Sequence, residues 1–217
     1  MLDLLLPLAC GGCGVPGTAW CETCAAELAV RADQPWVITP RKDPGVPVLS
    51  LGRYVGARRR AIVAIKERGR TDLIAPLAAQ VAQALGHLVA WGLLTGPATC
   101  PAGNPVTVVP APTRRTSARR RGGDPVARIA TAATASFDDL TVVPALMLRA
   151  FTRDSVGLSS AQRERNISCR VRCRVPVPGP ALLFDDIITT GATAAESVRM
   201  LQAAGTEVIA VLTVAHA

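Results

Sequence analysis

The chain has 217 residues, 49% of them hydrophobic and 18% charged, with a formal net charge of +8. This balance excludes a disordered chain, because there is enough apolar surface to bury a substantial core. The length suits one well-buried domain plus a small accessory module, and the positive charge admits nucleic acid, a membrane surface or an anionic small substrate without choosing among them.

The opening MLDLLLPLAC is leucine-rich like a signal peptide, yet it carries Asp3 and lacks a positive n-region. It reads as a short hydrophobic element. Purely apolar runs fall short of the ~20 residues that cross a bilayer, so no membrane span is predicted, and the protein is expected to be cytoplasmic.

Four of the seven cysteines follow at once: Cys10, Cys13, Cys21 and Cys24, spaced C-x2-C-x7-C-x2-C. An odd count in a reducing compartment argues against a disulfide framework. Two knuckles, each bringing two thiolates to one ion, suit tetrahedral zinc. In so small a module the metal would supply most of the folding energy, on the order of 10 kcal/mol in peptide models. A redox dithiol pair or buried free thiols are the alternatives. Cys100, Cys169 and Cys173 lack this pairing and read as buried or incidental thiols. Residues 1–30 thus form a zinc-binding module. Residues 31–50, with Pro35, Pro40, Pro44 and Pro47, read as an extended linker, and residues 51–217 as the main domain.

Within that domain Ala57 to Arg68 is a predicted helix stopped by Gly69. A longer helix follows Asp72, with Leu73, Leu77, Val81, Leu85 and Leu88 on one face. Val106 to Val109 is a buried strand candidate. An arginine-dense loop, Arg114 to Gly123, leads to Asp124 and Pro125, which suit an N-cap and first turn of a helix reaching about Ser136. Val142 to Leu148 is a further strand candidate despite Pro144. Ser159 and Gln162 fit a capping box for a short helix. Ala181 to Phe184 reads as a strand, Thr193 to Ala204 as a helix stopped by Gly205, and Val208 to Val214 as a strand. That βαβ unit implies a parallel sheet and an α/β fold.

Ligands of open parallel sheets bind at the carboxyl ends of strands, where Asp185 to Thr193 lies. Thr189, Thr190, Gly191, Ala192 and Thr193 combine hydroxyl donors with small residues suited to wrapping an anion. Asp185 and Asp186 would repel a phosphate but accept hydrogen bonds from sugar hydroxyls. Together they suggest a ribose 5-phosphate site. A simple strand-to-helix turn capped by Thr193 is the alternative.

The segment LLFDDIITTGAT resembles the PRPP motif of type I phosphoribosyltransferases. An N-terminal four-cysteine knuckle joined to this motif resembles the ComF family of phosphoribosyltransferase-like proteins. Supporting features in order are Tyr54, the helix end at Ile65, Lys66 and Gly69, the strand Val108 to Pro112, Arg121-Gly122, Gly157-Leu158, and Arg163 with Asn166. The chain departs from the family at Gly123-Asp124-Pro125, where an aromatic residue, Asn and Gln are usual, and at Ser155, where Gln is usual. The resemblance implies a type I phosphoribosyltransferase-like parallel sheet flanked by helices, with Asp185 and Asp186 holding ribose hydroxyls and Thr189 to Thr193 the 5-phosphate. It implies transfer of the phosphoribosyl group with release of pyrophosphate, and PRPP taken as its Mg²⁺ complex. The non-catalytic alternative is a PRPP-fold protein serving DNA uptake or PRPP-responsive regulation.

Arg114, Arg115, Arg119, Arg120 and Arg121 follow a strand end and have three readings. Arg114, Arg115 and Arg121, with Lys66, could bind pyrophosphate through charge-assisted hydrogen bonds. The loop could instead bind single-stranded nucleic acid, although residues 105–136 hold no aromatic residue for stacking. It could also be a solvated loop. No residue stands out as general base, and His87 and His216 read as structural or incidental. The acceptor base is not legible, and a homodimer is the default expectation for any oligomer.

Overall fold

A computed structural model describes residues 8–94, 105–113, 123–148 and 171–217. In chain order the elements are α1 (Glu22–Glu27), β1 (Trp36–Ile38), β2 (Val48–Ser50), α2 (Gly56–Arg68), a 3-10 turn (Thr71–Leu73) running into α3 (Ile74–Ala90), and β3 (Val106–Pro110). There follow α4 (Pro125–Thr134), β4 (Leu140–Val142), β5 (Leu146–Leu148), β6 (Val171–Cys173), β7 (Ala181–Ile188), α5 (Ala192–Ala203) and β8 (Val208–His216).

Six strands form one sheet in the order β1-β2-β8-β7-β3-β4. Every neighbouring pair is parallel except β1 with β2. β7 lies inside the sheet between β8 and β3. Its residues alternate between two cores: Leu182 and Phe184 pack with the helical residues of α2, α3 and α4 on one face, while Ala181 and Leu183 face Ala194, Val198 and Leu201 of α5 on the other. Burial on both faces is what a continuous apolar run in a parallel strand predicts. Each fully buried leucine contributes about 1.5–3 kcal/mol. A separate two-stranded antiparallel ribbon, β5 with β6, packs with the α5 side.

Two expectations change. The stretch 31–50, expected to be an extended linker, is extended but supplies β1 and β2 to the sheet, and Val48, Leu49 and Ser50 are all buried. Its prolines fall outside both strands, where a missing N–H costs no ladder bond. The candidate strand 142–148 divides into β4 and β5, which belong to different sheets, with Pro144 in the break. Thr71–Ala90 is long and apolar enough, by length and composition, to cross a membrane, although its individual apolar runs are short. In this fold Leu77, Val81, Leu85 and Leu88 are buried in the core shared with α4, so its apolar face is already occupied.

The helix α2 ends as expected, at Gly69 with φ of 65°, a left-handed position that favours glycine. Its other end meets the cysteine module. Val55, at the N-cap, provides no side-chain acceptor. Instead the Ala57 N–H donates to Glu27 Oε1 at 3.4 Å. Arg60 Nε donates to the Gly12 carbonyl, and an Arg70 guanidinium N–H donates to the Ala9 carbonyl at 2.9 Å. The module is therefore docked on α2 and the turn after it. Glu27→Ala removes an acidic acceptor from the positive end of α2, and is expected to cost about 1 kcal/mol. Thermal melting should register a fall in Tm of about 2–4 °C.

Candidate metal centre and strand-end cleft

The sulfurs of Cys10, Cys13, Cys21 and Cys24 all lie within 4.8 Å of one another. Tetrahedral coordination with metal–sulfur bonds of about 2.3 Å places sulfurs roughly 3.8 Å apart, so small adjustments suffice to hold one ion. Two tight turns and the start of α1 create this arrangement. Cys21 is the N-cap of α1, and its sulfur accepts from the Cys24 N–H at 3.4 Å. The Cys10 sulfur accepts from the N–H groups of Gly12 and Cys21, each at 3.4 Å. Burial works against ionisation of Cys10, but the backbone N–H donors of Cys13, Cys21 and Gly12 outweigh it and bring the thiol down to about 6. Such N–H···S bonds favour the thiolate that a metal needs. The four cysteines are positioned to bind a metal ion.

At the other side of α2, strand β7 runs four residues beyond the Phe184 at which the sequence reading ended it. Asp185 and Asp186 are thus strand residues, held by continued pairing of Asp185 with Thr213, Ile187 with Ala215 and Ile188 with His216. The two acids have different partners. Asp186 is buried and forms an ion pair with Lys66 Nζ at 2.8 Å. Asp185 Oδ1 accepts the Asp186 backbone N–H at 2.8 Å. Burial, then the Asp186 charge, push the Asp185 carboxyl well above the usual carboxylate range, with Lys66 opposing them.

Thr189, Thr190 and Gly191 turn the chain into α5, for which Gly191 is the N-cap with φ of 84°. A Cβ there would lie 2.3 Å from the Lys42 carbonyl oxygen and 2.8 Å from Pro40 Cβ. Only glycine meets both demands. The Lys42 N–H donates to the Thr190 carbonyl at 2.8 Å, which fixes the turn against residues 40–42. Thr190 Oγ1 accepts from the Ala192 N–H at 3.3 Å. Thr193, expected as a cap in the simpler reading of this turn, lies inside the first turn of α5 instead.

These elements open on a cleft of ≈ 300 Å³, lined by Lys66, Thr113, Asp185, Asp186 and Thr193 with apolar walls from Pro125, Val126 and Leu148. The structure thus brings together Asp185, Asp186, Lys66 and Thr193, with the turn Thr189 to Ala192 beside them. Lys66, expected as a pyrophosphate ligand, has Asp186 as its partner. Arg114, Arg115, Arg119, Arg120 and Arg121 lie outside the described residues, as do Cys100, Cys169 and the segment holding Ser155, Gly157 and Gln162. Cys173 ends β6, where its thiol donates to the Val175 carbonyl at 3.2 Å.

Thr113 escaped the sequence reading as a site residue. Its hydroxyl donates to Asp124 Oδ2 at 2.7 Å, while Asp124 Oδ1 accepts from the Val126 N–H at 3.0 Å. The departure at Asp124 is therefore an N-cap that ties the start of α4 to the end of β3. The position just beyond a parallel strand was the available signal for Thr113. Both histidines are engaged elsewhere: His87 Nδ1 meets the Gln34 carbonyl at 2.8 Å, and His216 Nδ1 meets Ser50 Oγ at 2.8 Å.

No family model matches the sequence, and no curated protein matches it.

A carboxyl group raised in the folded state keeps its proton where the unfolded chain has lost it. The stability contributed by Asp185 is thus complete below the unfolded value near 3.8 and is lost as pH rises through the higher folded value. Asp185→Asn is expected to melt at a higher temperature than the wild type at pH 7. The gap should close as the pH is lowered towards 4 in paired thermal melts.

Proposed function

We propose that the strand-end cleft binds a 5-phosphoribosyl compound, PRPP or a nucleotide, and that the protein is a ComF-like enzyme of the type I phosphoribosyltransferase fold. It would transfer, or hydrolytically release, ribose 5-phosphate. The observation that carries this reading is the single cleft shared by the Asp185–Asp186 pair, Lys66 and Thr193 in the first turn of α5. The carboxylates suit ribose hydroxyls. The start of α5 offers N–H groups and a positive dipole end to the 5-phosphate, and Lys66 suits the neighbouring diphosphate. The parallel core of the sheet is consistent with the resemblance.

Breaking the C1–pyrophosphate bond leaves positive charge on the ribose and negative charge on the leaving group, so fixed cations near the diphosphate favour the transition state. Lys66 would serve there, with Arg114, Arg115 and Arg121 assigned to the same role from the sequence. Mg²⁺ would arrive on the phosphate oxygens of PRPP. Among the described residues no group of three or more carboxylates or imidazoles gathers at this cleft to make a dedicated cage. For the cysteine centre, four soft ligands at tetrahedral spacing favour zinc in a structural role.

One observation favours binding without turnover: both histidines are held outside the cleft, so no imidazole stands there as a base. A PRPP-sensing or DNA-uptake role is the corresponding second reading.

Calorimetric titration of PRPP with Mg²⁺ is expected to show saturable binding by the wild type. The double variant Asp185→Asn/Asp186→Asn should bind at least about tenfold more weakly, since hydrogen bonds to charged groups contribute about 1.5–3 kcal/mol. A wild type that binds no PRPP would remove the proposal, and binding without pyrophosphate release across a panel of bases would select the second reading. Metal analysis of purified protein is expected to return one equivalent of zinc, and well under one would overturn the four-cysteine assignment.

A further inference from the structure

A second cleft, of ≈ 250 Å³, lies where the cysteine module meets the edge of the sheet, lined in part by Glu27, Leu28, Arg31, Trp36, Arg53 and Arg58. We propose that it binds a small oxyanion ligand, a phosphate monoester or carboxylate carried on a compact apolar body. This inference is independent of the ribose-phosphate reading. Arg58 and Lys66 stand eight positions apart on α2, about 12 Å along the helix, so the two clefts flank different ends of it.

Arg58 is the central observation. It is only 6% exposed, yet its guanidinium has one protein acceptor among the described residues, the Val214 carbonyl at 3.2 Å. Ion pairs among those residues include Arg31–Asp33, Lys66–Asp186, Arg70–Asp72 and Arg199–Glu196, and none of these involves Arg58 or Arg53. A buried guanidinium is ordinarily matched by a carboxylate, because its desolvation is otherwise uncompensated. Glu27, the acid of the cleft, accepts from the Ala57 N–H and acts on Arg58 through space, without a direct ion-pair contact.

Apart from Glu27, the surroundings share this sign. Val55 gives the N-terminus of α2 no side-chain cap and Glu27 meets that end at the Ala57 N–H, so the positive charge of the cleft rests on Arg53 and Arg58. His216 is held below the ordinary imidazole range first by burial and then by the charges of Arg53 and Arg58. Arg31 is tied to Asp33 and lies over the Trp36 ring at 5.2 Å, making it a wall more than a ligand. Trp36 and Leu28 provide the apolar surface. The volume falls just below the range of about 300–1,000 Å³ usual for drug-sized ligands, which limits the body to a compact one. Forked guanidinium donors are suited to two oxygens of one phosphate or carboxylate.

The test uses the full-length, metal-loaded protein titrated with phenyl phosphate and with benzoate, followed by calorimetry and by tryptophan fluorescence. Saturable binding is expected for at least one probe, and the tighter one identifies the headgroup. Arg53→Ala and Arg58→Gln should each weaken it at least about tenfold, and Trp36→Phe should remove the fluorescence change. Asp185→Asn/Asp186→Asn should leave the binding unchanged, which separates this site from the strand-end cleft. Should Arg58→Gln fail to fold, the exposed Arg53 decides the matter alone. Absence of saturable binding by either probe at millimolar concentration overturns the proposal, and so does equal affinity in wild type and Arg53→Ala.

Discussion

Burial of β7 on both faces is the constraint from which the candidate site follows. Ala181, Leu182, Leu183 and Phe184 are essentially without solvent contact, and a strand of that kind is stable only inside a sheet with helices or ribbons on either side. Parallel pairing to β3 and β8 then brings three carboxyl ends to one edge of the molecule. The first turns of α4 and α5 open at the same edge. Asp185, Asp186 and Thr113 converge because their strands must.

The second organising element is α2. Its first two turns receive Glu27 and Gly12 of the cysteine module, and its last turn delivers Lys66 to Asp186. Cysteine cluster and strand-end cleft are thus connected by one helix, through defined hydrogen bonds. Any disturbance of the four cysteines would reach the packing of Cys24 against Ala57 before it reached the strand-end cleft. The cysteine module is in this sense a clamp on the helix that carries Lys66.

Much of this arrangement was legible in the sequence, for identifiable reasons. The four cysteines, the Gly69 stop, the Asp124-Pro125 cap and the βαβ unit at residues 181–216 each depend on local chemistry, and all have counterparts in the fold. What escaped depends on partners distant along the chain. The stretch 31–50 looked like a linker because its prolines dominate it, whereas Val48 to Ser50 become a strand only through β8. Asp185 and Asp186 looked like loop residues because carboxylates are poor strand formers. Pairing with Thr213 and neutralisation by Lys66 overrule that preference. The Lys66–Asp186 pair itself joins residues that no sequence period connects.

The position of β8 also bears on how the chain reaches this state. Val48 pairs with Val211, and Leu49 with Leu212, so the sheet is closed by strands that are remote in sequence. Contacts of that range are slow to form because loop closure must precede their reward. Until β8 docks, β2 lacks its parallel neighbour and exposes an apolar edge that other chains could adopt. The cysteine module and α2, adjacent in sequence, face no such delay. Assembly would therefore begin at the cysteine-rich end of the molecule, and the strand-end edge would be the last part to acquire its shape.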